Sequence, residues 1–149
     1  MVQYTYKFEK VLNIREQEKQ QTEMGYKEAV QSFETIATEL YELLKKKEDL
    51  IDVQNERLKV GATIDEIHHF GLFIGSLEKT IEEVQQKVMQ ARMKMQWHEQ
   101  KLLEKNLEVR KFEKMREKDF AIFIEEQKRI ESQNLDEISS LMYAMKEVR

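Results

Sequence analysis

The 149 residues carry a formal net charge of −4, with 36% charged side chains, four glycines, no proline and no cysteine. Average usage would supply roughly seven prolines, so nothing halts helix along the chain, and a composition rich in Glu, Lys, Gln, Leu and Met is that of long helices rather than a packed α/β domain. Without cysteine there are no disulfides or zinc–thiolate sites, the interspersed charges leave no basic face for nucleic acid, and no run reaches the ~18 apolar residues of a membrane span. The N-terminal Met-Val-Gln-Tyr-Thr-Tyr-Lys-Phe lacks the cationic-then-apolar layout of a secretory signal, so the expectation is a soluble cytosolic protein.

The first predicted element is a helix over about residues 5–60. Steps of four and three from Phe8 give Leu12, Arg15, Lys19, Thr22, Tyr26, Ala29, Phe33, Ile36, Leu40, Leu43, Lys47, Leu50, Gln54 and Arg57. This repeat of about 3.5 residues is the seam of a coiled coil, along a helix about 75 Å long. The pattern stops at residues 61–63. Gly61 suits the left-handed conformation that closes a helix, because it has no Cβ to clash. Thr63, followed three residues later by Glu66, reads as a capping box that satisfies the first free N–H groups of a new helix.

The second helix is expected over about residues 64–131. Its stripe runs Ile67, Phe70, Ile74, Leu77, Ile81, Val84, Val88, Ala91, Met95, His98, Leu102, Lys105, Val109, Phe112 and Arg116. Folded about the hinge, each seam position meets a partner: Arg57 with Ile67, Leu50 with Ile74, Leu43 with Ile81, Tyr26 with His98, Leu12 with Phe112 and Phe8 with Arg116. The fold class is therefore all-α: two long helices forming an antiparallel coiled-coil hairpin with an extended C-terminal helical tail, one domain over residues 1–149. Near the hinge the layers are mostly aliphatic. Toward the open end Lys19 faces Lys105 and Arg15 faces Val109, so that end is expected to be loose or held by a partner. Beyond Lys118 no intramolecular seam is expected. Ser132-Gln133-Asn134 reads as an interruption before a tail at residues 132–149, whose Leu135, Ile138, Leu141, Met142 and Met145 point to partner binding.

No residue pattern supports catalysis, a cofactor or a metal. Adjacent residues on a helix diverge by about 100°, so His68 and His69 are poorly placed to share an ion, and His98-Glu99 lacks the second histidine of HExxH. Apolar residues off the seam are more informative. Leu72 and Phe73 follow the hinge, and Phe73, Leu77, Thr80 and Val84 form a ridge at helical spacing that reads as a protein-docking patch. Met93 and Trp97 fall on the far face, a second possible contact.

Three pieces carry a resemblance that spans most of the chain. They are Tyr6-x-Phe8-x-x-Val11-Leu12-x-x-Arg15; Gly61-x-Thr63 with Phe70-x-x-Phe73-x-x-x-Leu77-Glu78-Lys79-x-Ile81; and Glu126-Gln127-Lys128 with Leu135-Asp136-Glu137-Ile138. In order and spacing they resemble the FliJ family of the bacterial flagellar type III export apparatus. The resemblance implies a non-enzymatic stalk, similar to the central γ-subunit coiled coil of rotary ATPases. Its open end would enter the ring of the export ATPase FliI and promote assembly and hydrolysis. It would also touch the membrane export-gate protein FlhA and escort export chaperones, at the cytoplasmic face of the inner membrane at the flagellar base. The family's gate-contacting row falls on Phe73, Leu77, Thr80 and Val84, of which Thr80 and Val84 depart from its usual residue types. Phe8, Leu12, Arg15, Phe120 and Phe123 are the expected ATPase contacts. Two other readings stand beside it: a free-standing structural coiled coil that uses the same stripes between chains, and a secretion chaperone without a ring, whose main binding surface would be the tail.

Overall fold

The computed structural model describes residues 2–147. Two helices, α1 (Glu9–Val60) and α2 (Ile64–Glu147), make up nearly all of it, and there is no strand among the described residues. They pack antiparallel, as the paired stripes predict. The chain divides into two compact units. The hinge unit is Gln20–Leu103, and the terminal unit combines the residues up to Lys19 with those from Glu104 on.

At the hinge, Gly61 has φ of 108°, and its N–H donates to the Arg57 carbonyl at 3.0 Å. This single bond closes α1 through a left-handed glycine. Thr63 caps α2: the Glu66 N–H donates to Thr63 Oγ1 at 3.2 Å, and the Ile67 N–H donates to the Thr63 carbonyl at 3.1 Å. The Glu66 carboxylate takes the Arg57 guanidinium at 2.9 Å. That ion pair replaces the expected Arg57–Ile67 seam layer, and both Arg57 and Ile67 are exposed.

Farther along the hinge unit the seam is apolar. Ala29, Leu77, Ile81 and Val84 are buried, and Phe33, Ile36, Leu40, Leu43, Leu50, Phe70, Ile74 and Val88 are half-buried. Each fully buried side chain of this kind contributes about 1.5–3 kcal/mol as an upper estimate. Lys47 fits among them by laying its stem along the seam while its ammonium reaches Glu78 at 3.3 Å. Gly25 leaves room for the His98 ring, since a Cβ there would lie 3.3 Å from His98 Nδ1.

In the terminal unit the structure corrects three expectations. First, α1 begins at Glu9 rather than near residue 5. Residues 2–6 form a segment outside regular secondary structure, which turns into the helix through Glu9 N–H to Tyr6 carbonyl at 3.3 Å. Extended chain advances about 3.3 Å per residue against about 1.5 Å for helix. A short segment therefore reaches well along α2, and Tyr4 packs on Phe120 and Phe123, beyond the Lys118 limit expected for the intramolecular seam. Second, this unit is not loosely packed. Tyr6, Leu12 and Val109 form a buried cluster, and Tyr4, Phe8 and Phe112 pack against it. Third, α2 runs without a break through Ser132-Gln133-Asn134 to Glu147. Those residues are mediocre helix formers, but no glycine or proline among them breaks the hydrogen-bond ladder.

Candidate functional site

The residues of interest fall in two places, one in each unit. In the hinge unit the predicted ridge divides. Phe73 is 59% exposed and Thr80 is also exposed, whereas Leu77 and Val84 keep only 8% and 3% of their surface. Leu77 and Val84 sit in the seam as well as on the ridge, and the seam takes them. The expectation that all four form an exposed row is therefore corrected to Phe73 and Thr80, with Leu77 and Val84 bracing the helix beneath. Leu72 adds exposed apolar surface beside Phe73. An apolar hollow of about 290 Å³, lined by Leu50, Glu66, His69, Phe70 and Phe73, adjoins the patch. The surface thus combines a projecting phenylalanine with a recess, which suits a protein side chain rather than a reacting small molecule.

On the outer face of the same unit, Met93 and Trp97 are exposed as expected. Trp97 packs edge-on against His98 with ring centroids 4.9 Å apart, and the Lys101 ammonium lies 5.6 Å from its ring centroid.

In the terminal unit the five expected contact residues do not form one surface. Leu12 is fully buried at 0% exposure and belongs to the core. Phe8 is half-buried against Phe112, with centroids 6.3 Å apart. Phe120 is 46% exposed, and Phe123 is half-buried. Both contact the Tyr4 ring, at 5.0 and 5.2 Å.

Two polar arrangements fix this end. The Tyr6 hydroxyl donates to the Phe112 carbonyl at 3.1 Å, and the Tyr4 hydroxyl donates to Asp119 Oδ2 at 2.9 Å. Partial burial, then the bond to Asp119 and its charge, push the Tyr4 hydroxyl up to about 12. The second arrangement is a cluster of charges. Glu18 accepts from Arg15 at 3.1 Å and from Lys105 at 3.3 Å, and Lys105 lies 3.8 Å from Glu108. Hydrogen bonds from Arg15 and Lys105 hold the Glu18 carboxyl below its usual range. Arg15 Nε faces Glu108 Oε2 at 3.9 Å, an ion pair without a hydrogen bond, and both atoms are shielded from solvent. Lys105 thus finds two carboxylates, Glu18 and Glu108. The sequence reading missed Tyr4 and Tyr6 as anchors; the only signal was the aromatic alternation Tyr4-x-Tyr6-x-Phe8.

Every residue from 128 to 147 is exposed, including Ile130, Leu135, Ile138, Leu141, Met142 and Met145.

The model of the family described as flagellar FliJ protein matches residues 4–147. The chain belongs to the FliJ family. It is similar to the flagellar FliJ protein of Bacillus subtilis (strain 168), at 40% identity over 136 residues, which covers 91% of this chain and 92% of the relative. In fold it is similar to the structure of the YscO homolog CT670 from Chlamydia trachomatis, with a TM-score of 0.68 at 20% identity over 99% of both chains. Membership in the FliJ family makes this a flagellar protein. No helix among the described residues is long and apolar enough to cross a membrane.

Proposed function

We propose that this FliJ-family chain is a non-enzymatic stalk of the flagellar type III export apparatus, acting at the cytoplasmic face of the inner membrane at the flagellar base. Its terminal unit enters the ring of the export ATPase FliI, promoting ring assembly and hydrolysis. Its hinge unit contacts the export-gate protein FlhA, and the chain escorts export chaperones. The observation that carries this reading is the uncovered stretch of α2. A helix exposing this many large apolar residues over 128–147 is suited to a partner.

Within this reading Phe8, Arg15, Phe120 and Phe123 meet the ring. Leu12, though among the residues first expected there, supports them from the core. Phe73 and Thr80 meet the gate, held by the buried Leu77 and Val84. The ring contact is tested by replacing Phe120 and Phe123 together with alanine and measuring ATP hydrolysis by the cognate ATPase. Stimulation should fall at least severalfold, with helix content unchanged by circular dichroism. Undiminished stimulation would remove both residues from the contact. For the gate, Phe73→Ala should weaken binding to the soluble part of FlhA, and unchanged affinity would exclude that patch.

A further inference from the structure

The segment ahead of α1 does more than lengthen the packing. We infer that residues 2–5 are a self-inhibitory strap hinged at Tyr6: in the free protein Tyr4 occupies the aromatic face of α2 at Phe120 and Phe123, and the ATPase ring must displace it to reach them. This rests on the ring contact proposed above and adds its regulation.

The strap is held by side chains. The backbone hydrogen bonds where it joins α1, Glu9 N–H to the Tyr6 carbonyl at 3.3 Å and Leu12 N–H to the Phe8 carbonyl at 2.9 Å, lie at Tyr6 and beyond, behind the part that carries Tyr4. Its two anchors are unequal. Tyr6 is 6% exposed and belongs to the cluster with Leu12 and Val109, with its hydroxyl on the Phe112 carbonyl. Tyr4 is only half-buried, its bond to Asp119 lies at the surface, and Val2 beyond it is exposed. Water replaces a surface hydrogen bond at small net cost. The strap therefore opens from its N-terminal end, and Tyr6 stays in place as the pivot.

Opening uncovers a specific surface. The Tyr4 ring meets Phe120 edge-on at 5.0 Å and Phe123 at 5.2 Å. Any partner that packs on those two rings from the same side takes the place of Tyr4. An element with few backbone hydrogen bonds and a half-exposed anchor is what local opening draws on, so the competition is settled without disturbing the core.

The test uses the full-length chain and its Tyr4→Ala variant, which leaves Tyr6, Phe8, Phe120 and Phe123 unchanged. In the free protein, hydroxyl-radical footprinting should show severalfold faster oxidation of Phe120 and Phe123 in the variant; equal rates would mean that Tyr4 does not cover them. In ATP hydrolysis assays the variant should reach half-maximal stimulation at about fivefold lower concentration, the scale set by two aromatic contacts no longer lost on binding. Equal or weaker stimulation by the variant would overturn the strap while leaving the ring contact standing. No stimulation by either chain would overturn the ring contact and the competition with it, and the footprint would still decide whether Tyr4 covers the rings.

Discussion

At the residue scale, the terminal unit depends on Leu12, the one side chain there with no exposed surface among the described residues. Leu12→Ala removes its contacts with a layer formed by an aromatic segment and α2, leaving a cavity. The expected cost is about 2–5 kcal/mol, measured by urea denaturation, and a loss well under that range would mean the cluster relaxes to fill the gap. Gly61 is a different case. Nothing lies within 4 Å of a Cβ added there, so Gly61→Ala suffers only from its backbone angle of 108°. That cost is about 1–2 kcal/mol. The titrating groups have opposite signs. Tyr4 is raised from 10.0 to about 12, so its contribution is complete below pH 10.0 and lost as pH rises toward 12. Alkaline titration followed by tyrosinate absorbance should show a late step that Tyr4→Phe abolishes. Glu18 is lowered, so its contribution is present above the ordinary carboxylate range and lost as pH falls through its depressed value.

At the element scale, the seams were legible because a helix repeats. Of the fifteen positions read on each stripe, only Arg57 and Ile67, beside the hinge, prove exposed. There a nearby Glu66 gives Arg57 a better partner than an apolar layer. Two stripes one position apart share Leu77 and Val84, and periodicity alone could not say which face would claim them. Burial decides it for the seam. The strap was illegible for a different reason: an extended segment has no helical period, and its value lies in contacts with residues over a hundred positions away. The end of α2 runs on through Ser132-Gln133-Asn134 because such residues weaken a helix without breaking it. Since every residue from 128 to 147 is exposed, deleting them should leave the unfolding free energy within about 0.5 kcal/mol of the full chain. A larger loss, by urea denaturation with circular dichroism, would show a contact that the structure lacks.

At the scale of the whole molecule, the chain has internal partners for its seams and uncovered apolar residues at both candidate sites. That combination favours a monomer with docking surfaces over a coiled coil that must dimerise to bury its stripes. Size-exclusion light scattering distinguishes the two. The account's central claim is tested most directly by titrating the full-length chain into the cognate export ATPase while following ATP hydrolysis and ring size together. Saturable stimulation accompanied by hexamer formation, from a chain that is monomeric alone, is the predicted result. A monomeric chain that leaves both hydrolysis and assembly unchanged at saturation, or a stable homodimer without effect, would contradict the stalk.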